Sequence, residues 1–144
     1  MIPKHDANGL LPPGTHQATW EEVCERFGYT EWRKQLLTGL KEAAKALAKA
    51  NVRTLWLDGS FITTKEVPGD FDGCWDVTGV NLADMDPVLL KFDFQRAAQK
   101  AKYYGELFPA TWETSPGVTF LDFFQESRDG DPKGIIAIDL EEFR

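Results

Sequence analysis

The chain has 144 residues, a formal net charge of −7 and a hydrophobic content of 42%. This length suggests one domain, predicted over residues 1–144, and the apolar content excludes a disordered chain. The acidic balance excludes a general electrostatic grip on nucleic acid, because phosphate binding needs a local excess of Lys and Arg. No apolar run approaches the roughly 18 residues of a membrane span, and the two cysteines have no motif spacing. We therefore expect a cytoplasmic protein with reduced thiols and no membrane partner.

The first third of the chain predicts an irregular arm followed by two helices. Residues 1–17 are rich in Pro and Gly and are predicted to form no regular element. Thr19 with Glu22 three residues later is a capping-box pattern, and it predicts a helix that stops at Gly28. A longer helix is predicted over about residues 30–50, where apolar residues recur at helical spacing.

Two strands joined by a polar loop are predicted next. An apolar run over residues 52–57 indicates a buried strand, and Asp58-Gly59-Ser60 then turns the chain. The second strand opens with Asp70 and Asp72 on one face, while Phe71 between them faces the core. Two carboxylates this close repel unless a cation lies between them, and Mg²⁺ prefers oxygen ligands. The pair therefore predicts a metal site, and the alternative is a hairpin-like turn with two solvated aspartates.

The second half of the chain predicts one helix and two strands. Pro87, with Asp86 as its cap, begins a helix that is predicted to run to Tyr104. Residues 108–110 are assigned to the connection that follows this helix. Strands are predicted over residues 118–124 and 135–140, with a turn-rich loop over residues 125–133 between them. The elements together indicate an α+β fold, a mixed β-sheet flanked by helices.

The turn and the acidic strand together resemble the signature of the polymerase-β-type nucleotidyltransferase superfamily. In that family an apolar-Gly-Ser sequence is followed, after a short spacer, by Asp-x-Asp on the next strand. Here nine residues separate Gly59-Ser60 from Asp70-Phe71-Asp72. The chain is also similar to small prokaryotic proteins of this fold. The resemblance implies a nucleotidyltransferase-like fold and metal-dependent transfer of a nucleotide from an NTP.

The resemblance also implies roles for individual residues. Asp70 and Asp72 would hold Mg²⁺, while Gly59 and Ser60 would hold the triphosphate, since a glycine lets the backbone approach an anion. Lys65 is the cation nearest to these phosphates along the sequence, and the alternative is an ordinary exposed loop lysine.

A third carboxylate is implied on a strand beside the Asp-x-Asp strand. Asp122 matches this third carboxylate by residue type and by order along the chain. An aspartate in an apolar, aromatic strand is also costly without a cation or a partner. Asp139, in the last predicted strand, is the alternative. A third carboxylate that is neither of these two remains open.

The function that the resemblance implies is Mg²⁺-dependent transfer of a nucleotide from an NTP to a hydroxyl of RNA, such as tRNA, or of a protein. Membership of a toxin–antitoxin pair, with a cognate toxin or antitoxin as partner, is implied in the same way. The alternative is a catalytically degenerate nucleotidyltransferase fold that serves as an antitoxin-like binding module. A metal-dependent hydrolase or nuclease would use the same carboxylates, but it leaves Gly59-Ser60 unexplained.

Overall fold

The computed structural model describes residues 1–127 and 129–144, which form a mixed sheet packed against helices. The helices are α1 (Trp20–Phe27), α2 (Glu31–Lys49), α3 (Asp93–Tyr103) and α4 (Phe120–Phe123). The strands are β1 (Gly14–Ala18), β2 (Thr54–Asp58), β3 (Phe71–Trp75), β4 (Gly105–Pro109), β5 (Glu113–Ser115), β6 (Val118–Thr119) and β7 (Gly134–Asp139). Short 3₁₀ helices cover Ser60–Ile62, Leu82–Asp84, Pro87–Leu90 and Leu140–Phe143.

The main sheet has five strands in the order β1-β7-β2-β3-β4. β2 is antiparallel to both of its neighbours, β7 and β3, whereas β1 pairs with β7 and β4 pairs with β3 in parallel. β5 and β6 form a separate antiparallel pair. The predicted α+β class with a mixed sheet is therefore confirmed.

The two faces of the sheet bury different residues. One face, the helix face, carries aliphatic side chains against the helices, among them Leu55, Leu57, Leu107, Ile136 and Ile138. The opposite face, the aromatic face, carries Trp56, Cys74, Phe108 and Ile135 under Phe120 of α4 and Phe124, which caps that helix. Because side chains alternate along a strand, the residue two positions from each of these lies on the same face.

The two N-terminal helices form as their caps predict. The Thr19 hydroxyl accepts a hydrogen bond from Glu22 N at 3.1 Å, the Glu22 carboxylate accepts one from Thr19 N at 3.2 Å, and Gly28 closes α1. Thr30 caps α2 in the same way. The apolar stripe of α2 is fully buried at Leu36, Leu40, Ala43, Ala44 and Leu47, so the helical spacing does mark the core-facing side.

The prediction of an irregular arm over residues 1–17 is wrong at its end, where Gly14–Ala18 forms β1. This strand lies at the edge of the sheet, and His16 pairs with Ile136 of β7. An edge strand needs backbone pairing on one side only, so it can form from polar residues with mostly exposed side chains. Hydrophobic alternation, the usual signal for a strand, is therefore missing.

The predicted continuous helix from Pro87 to Tyr104 is also wrong. Pro87–Leu90 forms a 3₁₀ helix, and α3 begins after a break at Phe92. The Phe92 ring packs on Phe108 and Trp112, with centroids 5.9 and 4.8 Å apart, so tertiary packing holds the chain at the break.

Residues 105–109, assigned in part to a connection, form strand β4 parallel to β3. The predicted strand over residues 118–124 forms only β6 and then turns into α4. The Thr119 hydroxyl accepts a hydrogen bond from Asp122 N and so caps this helix. Phe120 and Phe124 are four residues apart, so a helical turn directs both rings to the aromatic face, where Phe120 stacks on Phe108 at 4.1 Å.

The loop predicted over residues 125–133 closes through a bridge between Glu126 and Pro132, and Arg128 within it lies outside the described residues. None of the helices in the described parts of the chain is both long and apolar enough to cross a membrane.

Candidate functional site

Three carboxylates lie side by side near the ends of three neighbouring strands, β2, β3 and the edge strand β4. Asp58 ends β2 and pairs with Asp72 of β3, and Asp72 pairs with Glu106 of β4. By strand alternation all three project from the aromatic face, each two residues from Trp56, Cys74 or Phe108. We call Asp58, Asp72 and Glu106 the acidic row.

The carboxylates of the acidic row repel one another, and the nearby Asp70 adds to this repulsion. The pKa of Asp72 rises to about 8, mainly because burial disfavours the charged form. The negative charges of Asp70, Glu106 and Asp58 raise it further, as does a hydrogen bond that Asp72 shares with Glu106. Burial, followed by the charge of Glu106, also raises the pKa of Asp70. Without a metal, this cluster therefore holds a proton at pH values where carboxylates are normally ionised.

Cations flank the row at both ends. On the β4 side, Arg96 Nε lies 2.8 Å and Lys100 Nζ 3.6 Å from Glu106 Oε2. On the β2 side, Lys133 Nζ lies 3.1 Å from Asp58 Oδ1. The middle of the row, at Asp72, makes no ion pair among the described residues, and negative charge is least balanced there.

The Gly-Ser turn lies directly against the row. Gly59 adopts φ 80° and ψ −168°, a conformation that is accessible essentially only to glycine. A Cβ atom at this position would lie 2.3 Å from Asp72 Oδ2, so the turn approaches the carboxylate closely only because a glycine is present. Ser60 begins the following 3₁₀ helix, and within the described residues its hydroxyl makes no hydrogen bond. The turn thus offers backbone and a free hydroxyl beside the acidic row.

A buried arginine holds the loop that follows the turn. Arg33 of α2 is fully buried and donates hydrogen bonds to the carbonyl oxygens of Phe27, Phe61, Thr63 and Lys65. Burial lowers the pKa of this guanidinium, and the neighbouring Tyr29 opposes part of that effect. Arg33 was not predicted as a site residue, because an arginine within a helix pattern gives no sign of being buried.

Lys65 contributes to this arrangement through its backbone. Its carbonyl oxygen accepts hydrogen bonds from Arg33, while its side chain is exposed and makes no hydrogen bond or ion pair within the described residues. The structure therefore gives its ammonium no contact to the acidic row, and the phosphate contact stays a prediction.

The structure does not bring Asp122 to the acidic row. Asp122 lies on α4 instead of on a strand, is exposed, and hydrogen-bonds the Thr119 hydroxyl at 3.0 Å. The alternative, Asp139, pairs with Thr54 at the opposite end of β2 from Asp58 and caps the last 3₁₀ helix. The carboxylate beside Asp72 on the neighbouring strand is Glu106, which was not predicted. Little in the sequence signals it, because Gly105–Pro109 shows no strict alternation of polar and apolar residues.

Carboxylate oxygens are the ligands that Mg²⁺ prefers, so Asp70, Asp72 and Glu106 suit it chemically. Within the described residues, no three His, Cys, Asp or Glu side chains already stand in a metal-binding arrangement. Glu106 is already paired with Arg96 and Lys100, so a cation would compete with both for its carboxylate oxygen. A metal would also have to displace the proton that Asp72 holds.

This proton linkage predicts how stability depends on pH. In the folded protein the pKa of Asp72 is about 8, above its usual value of 3.8, so the folded state binds the proton more tightly than the unfolded state does. The stabilisation is complete below about pH 4 and is lost as pH rises through about 8. Melting curves in EDTA should therefore show a Tm that falls as the pH rises from about 4 to about 8. Mg²⁺ should raise the Tm more at pH 8 than at pH 5. Asp72→Asn should flatten the slope, and an unchanged slope in that variant would contradict the assignment.

Comparison with known proteins gives one result. A family model described as "Family of unknown function (DUF6932)" matches residues 3–139. No curated protein and no solved structure matches the chain.

Proposed function

We propose a function from the site itself, because the chain belongs to the DUF6932 family, whose function is unknown. The proposal is that the protein is a Mg²⁺-dependent nucleotidyltransferase of the polymerase-β type. It would transfer a nucleotide from an NTP to a hydroxyl of RNA or protein. We place it in the cytoplasm, and a toxin–antitoxin pair is one setting that would supply a partner.

The observation that carries the proposal is the contact between the Gly-Ser turn and the acidic row. Gly59 lies against Asp72, and Ser60 follows with an uncommitted hydroxyl. A phosphate-binding turn beside clustered carboxylates is the combination that metal-assisted phosphoryl chemistry requires. A structural turn with solvated aspartates would not need Asp72 buried among other acids.

The residues divide the work of the reaction between them. Asp70, Asp72 and Glu106 would hold Mg²⁺, which supplies neutralisation of phosphate charge and a lowered pKa for an attacking hydroxyl. Gly59 lets the backbone approach the triphosphate, and Ser60 donates its hydroxyl hydrogen bond to a phosphate oxygen. The acceptor hydroxyl releases its proton to solvent as its oxygen attacks in line at the α-phosphorus, the bond from that phosphorus to the α–β bridging oxygen breaks, and pyrophosphate leaves with the bonding electrons. Arg33 keeps the loop after the turn in place through its hydrogen bonds to the carbonyl oxygens of Phe61, Thr63 and Lys65.

The test is transfer of label from NTP. We would incubate the protein with Mg²⁺, a cell lysate and each common ribonucleoside triphosphate labelled at the α-phosphate. We expect label in a macromolecular fraction, which nuclease and protease treatment would then assign to RNA or protein. Label at the γ-phosphate should not transfer, because it leaves with pyrophosphate. Absence of α-label transfer, together with no Mg²⁺-dependent NTP binding, would contradict the proposal.

A second candidate is a binding module that has lost activity. The pairing of Arg96 and Lys100 with Glu106 favours it, because these cations neutralise one carboxylate of the acidic row without a metal. In that case NTP with Mg²⁺ would leave the Tm unchanged, whereas a ligand that binds only the folded state raises it. Thermal melts with and without both ligands therefore separate the two candidates.

A further inference from the structure

Lys133 and Asp58 form an ion pair at the end of the acidic row next to the Gly-Ser turn. Lys133 Nζ lies 3.1 Å from Asp58 Oδ1, and the two side chains are only 20% and 7% exposed. The backbone of Lys133 is fixed by a hydrogen bond from its N–H to the Gln125 carbonyl oxygen, just before β7 begins. The ammonium is therefore held beside the residue that immediately precedes Gly59.

The pair is incomplete on the aspartate side. Asp58 Oδ1 is buried and has no full hydrogen-bond partner among the described residues, although the Lys133 ammonium lies 3.1 Å from it. A buried charge without full hydrogen bonding is costly, so this pair lacks part of the stabilisation of a well-formed one. The flexible stem of a lysine lets its ammonium contact a second anion in the neighbouring cleft while it stays beside Asp58.

A cleft opens directly beside this pair. It has a volume of about 530 Å³, and its lining residues are Asp58, Phe123, Glu126, Ser127, Gly130 and Lys133. The volume lies within the range of small-molecule sites, roughly 300–1,000 Å³. Phe123 is 51% exposed although the neighbouring Phe124 is buried in the aromatic face, so one aromatic ring is left without a full set of neighbours.

We propose that this cleft holds the nucleoside of the NTP, with Lys133 binding the phosphates and Phe123 stacking on the base. The proposal rests on the proposed function and adds the site for the rest of the nucleotide. Lys133 is the cation next to the turn, whereas Arg96 and Lys100 lie beyond Asp72 on the β4 side. An aromatic ring can stack on any base, so we expect the cleft to bind a nucleoside without preference for one base.

Equilibrium binding of two probes separates the two halves of the proposal. The probes are an NTP and inorganic tripolyphosphate, each with Mg²⁺, measured by titration calorimetry. Lys133→Met should weaken both probes by roughly 10- to 100-fold, since it removes a hydrogen bond to a charged group. Phe123→Leu should weaken the NTP by about tenfold and leave tripolyphosphate unchanged, because only the base stacks. Lys45→Met, an equal charge change at an exposed site on α2, should alter neither.

Two further variants guard against loss of folding. Lys133→Arg keeps the charge and should retain most binding of both probes. The double variant Asp58→Asn with Lys133→Met removes both members of the pair, avoids a lone buried charge, and should bind as weakly as Lys133→Met. Equal tripolyphosphate affinity in wild type and Lys133→Met overturns the role of the lysine. Equal NTP affinity in wild type and Phe123→Leu overturns the cleft. If the wild type binds neither probe, the proposed function and this inference both fail.

Discussion

Asp72→Asn should reduce nucleotide transfer by more than about 100-fold, since even residues that only support metal ligands are typically worth 10- to 100-fold. Asp72 lies in the middle of the acidic row, against the Gly-Ser turn and without a cation of its own among the described residues. The neutral amide removes a metal ligand and also ends the repulsion from Asp70. The metal-free variant at pH 8 should therefore be as stable as the wild type or more so. Label transfer and a thermal melt in EDTA measure the two effects.

A pair of amide variants tests which carboxylate is the third metal ligand. Glu106→Gln replaces a carboxylate by an amide at the position that the structure brings to the row. Asp122→Asn makes the same replacement at the position that the sequence predicts. We expect Glu106→Gln to lose activity as Asp72→Asn does, and Asp122→Asn to stay within about twofold, as for an exposed surface residue. The reverse ranking would return the third position to Asp122. Equal activity in wild type and Asp72→Asn would leave only the binding module.

The difference between Asp72 and Glu106 shows what the sequence could reveal. Asp70 and Asp72 were predictable because they lie next to an apolar residue in a short period-2 pattern and follow a distinctive turn. Glu106 lies in a strand that begins directly after a helix whose pattern continues to Tyr103, and no distinctive turn marks its start. Its membership of the row depends on parallel pairing with β3, which is a property of the folded sheet and not of local sequence.

The segment that contains Asp122 shows the opposite failure. Its run of aromatic and apolar residues favours a strand by composition, and a strand would have put the aspartate among buried side chains. The aromatic face instead needs two rings from one side of a short helix, and Phe120 and Phe124 supply them. Packing on Phe108 outweighs β-propensity here, and the aspartate is left on the exposed side of α4.

Arg33 was not predictable for a third reason. Its position in α2 is compatible with an exposed basic residue, and charged residues are rarely fully buried. The reason for its burial lies in the loop after the Gly-Ser turn, where several carbonyl oxygens point inward without partners from a regular element. One planar guanidinium with fixed donors can satisfy several of them together, and Tyr29 and Phe61 lie against it at 4.5 and 5.2 Å.

Arg33→Met should lower the free energy of unfolding by about 3 kcal/mol or more, because it leaves buried carbonyl oxygens without donors, each worth about 1–3 kcal/mol. The loop would also lose its connection to α2, so the Gly-Ser turn would bind NTP less tightly even where the fold survives. The stability and NTP affinity of Arg33→Lys should lie between those of the wild type and Arg33→Met, since an ammonium keeps the charge but cannot reach carbonyls on several sides. Urea unfolding and NTP titration measure both effects.

Arg53→Met is the control, because that arginine is exposed and its side chain makes no hydrogen bond within the described residues. If Arg33→Met and Arg53→Met unfold at the same urea concentration, the guanidinium does not hold the loop.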